Sequence, residues 1–320
     1  MYVVTLKPKS IDRQLFEEIQ SRGIDHFRVN LARNSLEENL DLIRTLKQNS
    51  TTIFVDLPGE KLRINYNSYV KMIKEGELFT LKHNVKKIYN SNCATISNTD
   101  FFKMVSCGDI LTIGDANAQF IVKNIINNEI EISCIATGKI YNKAGLIING
   151  KYIEKKHLCR TDLDIIKQLN YSLIDYVCVS FADHSDIIRE VRRHIPSDAN
   201  TKVIAKIESP VGVNNLLDIM IESDGILLAR SDLSKFYTIE QLSQLAEYFK
   251  LNILKGKTLI FASNYLLKSI QSGTLIKKEL NYLIHDFNLN PDYIYINESY
   301  YNNVMDVIEY YIKATTEERT

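Results

Sequence analysis

Lys202-Val-Ile-Ala-Lys-Ile-Glu-Ser-Pro-Val-Gly-Val-Asn-Asn215 and Ser223-Asp-Gly-Ile-Leu-Leu-Ala-Arg-Ser-Asp-Leu233 decide how this chain is read. Each opens with an apolar run of about five residues, short enough for a strand buried on both faces. Each run gives way to charge: Lys206 and Glu208 in the first, Arg230 and Asp232 in the second. A short helix is expected near Gly212, between them. A lysine and two carboxylates at the C-terminal ends of successive parallel strands is the arrangement on which a β/α barrel builds its chemistry. Glu208 and Asp232 are hard ligands suited to Mg²⁺ or Mn²⁺, and Lys206 beside them suits an anionic oxygen. The plain alternative is a pair of surface ion pairs at strand ends.

The same rhythm extends in both directions. Strands are expected at Tyr2–Leu6, Phe27–Leu31 and Thr52–Val55, then at 176–180, 203–207, 225–228, 258–261 and 293–296. Helices alternate with them, one capped by Ser10, another over about 35–48. A further helix begins at a capping box of Thr161 and Asp164, and another closes the chain from about Ser299. Eight strands in this alternation predict a (β/α)₈ TIM barrel. From Arg63 to about Lys156 the pattern changes to short alternating runs, with a hairpin signal at Asn127-Asn128. This predicts a small all-β domain inserted after strand 3, residues 64–156, with the barrel formed by 1–63 and 157–320.

Composition narrows the function. Lys plus Arg and Asp plus Glu both number 39, so no charge excess steers the chain to nucleic acid or membrane surfaces. The five cysteines are scattered and contain no C-x-x-C pair, which suggests reduced thiols and a cytoplasmic location. The six histidines lack metal-ligand spacing, and neither a G-x-G-x-x-G nor a P-loop motif occurs. The tyrosine-rich tail from Tyr293 to Tyr311 reads as packing of a last barrel helix or a subunit contact.

The two opening segments resemble the pyruvate kinases, whose pattern runs I-x-x-K-I-E-N-x-x-G-x-x-N, then S-D-G-I-M-V-A-R-G-D-L-G. Here K-I-E, G-V-N-N, S-D-G-I and A-R-x-D-L recur in order and spacing. The resemblance implies that Lys206 stabilises charge on phosphoryl and enolate oxygens while Glu208 and Asp232 hold Mg²⁺. Thr5-Leu-Lys-Pro8 is similar to T-I-G-P, which implies that Pro8 lies against a nucleotide base. Arg28-Val-Asn30 is similar to R-x-N, with Arg28 directed at the transferred phosphoryl group; a barrel-mouth ion pair is the other reading. Asp56 and Arg63 match the ends of D-T-K-G-P-E-I-R. The resemblance directs Arg63 at nucleotide phosphate and makes Asn30 and Asp56 a monovalent-cation region. Lys61 takes a glutamate's place there, and Ala32 replaces a cation-binding serine, so K⁺ is expected not to be required. Gly108-Asp-Ile-Leu-Thr-Ile-Gly-Asp115 resembles a motif of the family's lid domain and marks Asp115.

The departures bear on chemistry. Arg33 replaces a base-contacting histidine, and Ser231 stands where a glycine approaches the substrate carboxylate, beside Asp232. Ser263-Asn-Tyr265 replaces T-Q-M and leaves Ser263 at the proton-transfer end. Ser180-Phe-Ala-Asp183 replaces S-F-V-R, which removes a basic residue. The P-T-R-A-E and S-G-E-T motifs become Leu275–Glu279 and Asn297–Ser299. The chain also ends where the family's C-terminal regulatory domain would begin. A monomer or homodimer and no sugar-phosphate activation are therefore expected.

Three functions compete. The first is Mg²⁺-dependent phosphoryl transfer between a nucleotide (ADP/ATP) and phosphoenolpyruvate, pyruvate or a related enolate or carboxylate acid. The second is a Mg²⁺-dependent lyase of the citrate-lyase type, to which Asp232-Leu-Ser234 is similar. The third is a non-catalytic sensor of a small phosphorylated acid. Retention of Lys206, Glu208 and Asp232 amid drift favours a changed substrate over a dead site.

Overall fold

The computed structural model describes residues 1–8, 13–67, 70–84, 91–114 and 118–317. Its strands in chain order are β1 (Tyr2–Leu6), β2 (His26–Asn30), β3 (Thr52–Asp56), β4 (Lys71–Ile73), β5 (Leu78–His83) and β6 (Cys93–Ile96). They continue as β7 (Ile110–Ile113), β8 (Ala118–Ile126), β9 (Glu129–Ala136), β10 (Gly138–Ile140) and β11 (Leu146–Ile148). The last five are β12 (Tyr176–Val179), β13 (Lys202–Ile207), β14 (Gly225–Ala229), β15 (Thr258–Ala262) and β16 (Tyr293–Asn297).

Eight of these close a barrel in the order β1-β16-β15-β14-β13-β12-β3-β2, every neighbouring pair parallel. This is the (β/α)₈ barrel that the alternation predicts. The strands read as near-continuous apolar runs because alternate side chains enter either the barrel interior or the layer beneath the helices. Phe27, Val29, Val203, Ala205 and Ile207 face the outer layer. Val3, Phe54, Tyr176, Cys178, Ile204, Leu227, Ile260, Tyr293 and Tyr295 fill the interior. Aromatic rings do much of that filling: Phe54 stacks on Tyr176 with centroids 4.2 Å apart and meets Tyr293 edge-on at 5.0 Å. Gly225 is required where β14 approaches β15, since a Cβ there would lie 2.3 Å from the Thr258 carbonyl oxygen.

The helices start as local chemistry dictates. Ser35 and Glu38 form a capping box for Leu36–Lys47, and Thr238 and Gln241 form one for Ile239–Asn252. The expected box at Thr161 and Asp164 is not made. Helix Arg160–Ile166 begins two residues earlier, with Cys159 at its N-cap and no side-chain cap bond. Its anchor is Asp162, whose carboxylate takes the Gly59 amide. Ser10 lies outside the described residues. The closing helix, Tyr301–Glu317, buries Tyr301, Val304, Met305 and Ile308 in the outer core, so tail packing explains much of its composition. Among the described residues no helix is long and apolar enough to cross a membrane.

The chain divides into two compact units: Met1–Glu60 with Lys155–Thr320, which holds the barrel, and Lys61–Glu154. The second unit has a six-stranded sheet, β11-β7-β8-β9-β5-β6, and a pair, β10-β4, around its own core of Phe79, Phe101, Phe120, Ile130 and Ile132. Asn127 and Asn128 both have positive φ (47° and 64°) and turn β8 into β9. One short helix, Thr99–Met104, interrupts the strands. Lys61 and Arg63 belong to this unit, where Arg63 donates to the Lys143 carbonyl at 2.8 Å.

Candidate active site

Strand alternation sends Arg28 (β2), Asp56 (β3) and Lys206 (β13) into the barrel interior, towards the C-terminal ends of the strands. Glu208 follows β13 directly. The Lys206 ammonium lies 2.9 Å from Asp56 Oδ2 and 2.9 Å from Glu208 Oε1, and donates to Ser180 Oγ at 2.8 Å. Its three N–H bonds are thus all used. Arg28 Nη2 meets the same Asp56 oxygen at 2.8 Å, Nη1 donates to Thr5 Oγ1 at 3.1 Å, and the guanidinium lies over the Tyr295 ring. The alternative of surface ion pairs does not hold for this group, because Lys206, Glu208 and Asp56 are all buried. For Arg28 the ion pair is real, and it is made inside the barrel.

Burial works against the Asp56 carboxylate, but Arg28 and Lys206 outweigh it and hold the carboxyl below its usual value. Burial would also lower the Lys206 ammonium, yet Asp56 and Glu208 raise it, so it stays charged. Glu208 behaves differently. Burial lifts its carboxyl above the ordinary range and the nearby Asp232 charge adds to the lift, against Lys206 and the Phe181 amide. Asp232 sits in the four-residue helix Arg230–Leu233 after β14, with Lys235 Nζ 2.5 Å from Oδ1. Two buried oppositions remain open: Asp56 Oδ1 and Arg28 Nε have no hydrogen-bond partner among the described residues.

Other expected residues fall into distinct places. Ser231 Oγ accepts from the Asn264 amide at 3.2 Å, which ties the segment after β14 to the one after β15, where Ser263 stands. Asn30 Oδ1 accepts from the Ala32 amide at 3.0 Å in a local turn. Arg33 is exposed, and Pro8 lies two residues after β1. Asp115 lies outside the described residues.

Other residues take places that their local sequence pattern does not announce. Gly59 (φ +65°) lies against Ser180 and Phe181; a Cβ there would come within 2.8 Å of both side chains. Its amide donates to Asp162, a carboxyl that burial lifts to about 6. Arg230 turns away from the mouth and pairs with Asp286, both side chains fully buried, with Tyr282 stacked 4.1 Å from the guanidinium. Glu279 receives the Lys268 and Ser269 amides at 3.0 and 2.8 Å, and so anchors helix Leu267–Ser272. Glu298 takes the Lys7 amide and ammonium at 3.1 and 2.5 Å.

The family description "Pyruvate kinase, barrel domain" matches residues 1–277. This chain belongs to the pyruvate kinase family. Plastidial pyruvate kinase 2 of Arabidopsis thaliana is 26% identical over 289 residues, covering 87% of this chain and 50% of its own length. A pyruvate kinase of Aeropyrum pernix is 25% identical over 288 residues, 87% of this chain and 61% of its own. One from Clostridium perfringens is 26% identical over 279 residues, 82% of this chain and 58% of its own. The chain therefore spans about half to three-fifths of the length of these curated relatives.

Proposed function

We propose that the barrel mouth catalyses phosphoryl transfer between a nucleotide and an enolate or carboxylate acid such as phosphoenolpyruvate or pyruvate. The observation that carries this reading is the buried Lys206 ammonium held against Asp56, Glu208 and Ser180 at the ends of three strands. A fixed positive charge in a low-dielectric site stabilises charge that develops on a transferring oxygen and needs no reorganisation at that moment. A substrate oxygen displaces Ser180 from Lys206 at the smallest electrostatic cost, because the hydroxyl is the only neutral partner of the three. Arg28 supplies the second cation, and Ser263 a hydroxyl near the proton-transfer end.

The donor set suits a divalent cation. Glu208 is lifted by burial and by Asp232, and a cation between these carboxylates relieves that opposition. Among the described residues no group of three or more histidine, cysteine or acidic side chains gathers as a closed metal site. Two carboxylates with water and substrate oxygens completing the shell is the habit of Mg²⁺ or Mn²⁺. Bound there, such an ion would polarise the phosphoryl and carboxylate oxygens. Asp56 is already neutralised by Arg28 and Lys206, which supports a site that works without K⁺.

The test is turnover of phosphoenolpyruvate with ADP, and of ATP with a panel of small carboxylic acids, with and without Mg²⁺. Glu208→Gln is expected to abolish metal binding by calorimetry and turnover with it. Carbon–carbon cleavage without nucleotide would move the assignment to a lyase, and binding without turnover to a sensor.

A further inference from the structure

The side chains of Ser209 and Asn215, which bound the second half of the signature segment (Ser209-Pro-Val-Gly-Val-Asn-Asn215), make their hydrogen bonds away from Lys206 and Glu208. They grip the turn Ser180–Asp183, which follows β12. Ser209 caps helix Pro210–Asn214 by accepting the Gly212 amide at 3.0 Å, and its hydroxyl donates to Asp183 Oδ1. Asn215 Nδ2 donates to the Asp183 carbonyl at 2.8 Å. A Cβ on Gly212 would meet the Ala182 carbonyl at 3.2 Å, so the helix lies directly on the turn. From a third direction the Lys155 amide donates to Asp183 Oδ2 at 2.7 Å. The Asp183 side chain is 1% exposed, and both its oxygens are engaged.

This turn delivers two groups to the mouth. Phe181 presents its amide to Glu208 Oε2 at 3.0 Å, and Ser180 presents its hydroxyl to Lys206 at 2.8 Å. Phe181 does so at φ +52°, a conformation that costs a bulky side chain energy and persists only where its surroundings impose it. The Asp183 amide closes the turn on the Phe181 carbonyl at 2.8 Å. A loose turn would relax Phe181 and withdraw its N–H from Glu208.

We propose that Asp183 is a positioning residue for the Lys206–Glu208 site. It acts through the turn: its carboxylate, fixed by Lys155 and Ser209, holds the Phe181 amide on Glu208 and the Ser180 hydroxyl on Lys206. The inference rests on the reading of Glu208 as a metal-holding carboxylate, and it gives a role to the acid that replaces a basic residue here.

The experiment compares wild type, Asp183→Asn and Ser209→Ala by hydrogen exchange at the Phe181 amide and by Mn²⁺ calorimetry, well below each melting temperature. Phe249→Leu, a core truncation in helix Ile239–Asn252, serves as the stability control. Asp183→Asn is expected to speed exchange at Phe181 and weaken Mn²⁺ binding about tenfold, the usual cost of losing a group that orients a metal ligand. Ser209→Ala removes one of the two donors, folds more readily, and shifts both readouts in the same direction by less. Phe249→Leu should lower the melting temperature and leave both unchanged. Unchanged exchange and affinity in Asp183→Asn and Ser209→Ala overturn the proposal, as does an equal shift in Phe249→Leu. If wild type binds Mn²⁺ without phosphoryl turnover, the proposed function falls and this inference stands. If wild type binds no Mn²⁺, both fall.

Discussion

The barrel buries two ionic clusters, one around Lys206 and one around Arg230, that differ in how their charges are spent. Lys206 and Arg28 share Asp56, while Glu208 takes part of Lys206 and is lifted by burial and by Asp232. Asp56 Oδ1 and Arg28 Nε are left over. Arg230 meets one acid, Asp286, whose second oxygen accepts the Tyr265 hydroxyl at 2.6 Å, and Tyr282 and Phe261 cover the guanidinium. The first cluster keeps unsatisfied capacity at the end of a barrel where ligands bind, and its Arg28 is partly exposed. The second is sealed, with both side chains of its pair fully buried, although Arg230 Nε and Nη1 find no hydrogen-bond partner among the described residues. Neither buried charge nor incomplete pairing alone therefore marks a site; access from the barrel mouth does.

The largest effect is expected in the closed cluster. Asp286→Asn leaves Arg230 charged and buried without its counter-ion, which costs about 3–5 kcal/mol of stability. Urea denaturation should show that loss. Replacing both members by apolar residues, Arg230→Met with Asp286→Leu, should recover most of it, because a sealed pair can be exchanged for packing. A loss in Asp286→Asn below about 1 kcal/mol would mean that the pair is solvated and the contrast mistaken.

Lys206→Met puts the open cluster to the complementary test. It deletes the ammonium and keeps apolar length. Turnover should fall by about a hundredfold or more, on the order of 3 kcal/mol, with substrate affinity changed far less. Near wild-type turnover would remove Lys206 from the chemistry and leave the cluster as structural as its neighbour.

The sequence carried much of this contrast, but unevenly. The eight barrel strands were legible because parallel strands buried on both faces are compressed into short apolar runs between helices, and Lys206, Glu208 and Asp232 stood out as charges ending such runs. Arg230 looked equivalent to them in that pattern. Its burial opposite Asp286, on a helix more than fifty residues later, is a long-range packing outcome that no local spacing encodes. Asp183 read as a lost basic residue, since sequence shows a charge reversed but not the Lys155 amide and Ser209 hydroxyl that receive the new carboxylate. Thr161 looked like a cap because its spacing to Asp164 is right, while Asp162 had a competing partner in Gly59 from a distant loop.

The charges of Lys206 and Glu208 reach the Asp162 carboxyl, which should report on the open cluster through pH. Its folded carboxyl is lifted by burial to about 6 from an ordinary value of 3.8. The native state therefore holds a proton that the unfolded state has lost. Stability should fall as pH rises from about 4 to about 6, by on the order of 2 kcal/mol. In Asp162→Asn that slope should flatten, because the group no longer titrates. A wild-type profile without this slope would place the Asp162 carboxyl in the ordinary range and mean that burial no longer outweighs the Gly59 amide that favours its charged form.

The smallest effect concerns the rim of the closed cluster. His285 bridges Asp286, at 3.4 Å from Nδ1, and Glu247, at 3.1 Å from Nε2. The hydrogen bond to Asp286 raises the imidazole above its usual value, against partial burial, with Glu247 adding to the rise. A raised histidine contributes stability that is fully present below the unfolded pKa of about 6.5 and is lost as pH rises through the folded one. The side chain is 27% exposed and Glu247 more so, so solvent screens the gain to roughly 0.5 kcal/mol or less. His285→Gln should remove this alkaline-going decline and leave the Asp162 slope in place, since the two groups titrate in different windows. If His285→Gln instead costs several kcal/mol at every pH, the Arg230–Asp286 pair depends on its histidine. The sealed pair would then lean on a partly exposed neighbour, and the distinction drawn from access would fail.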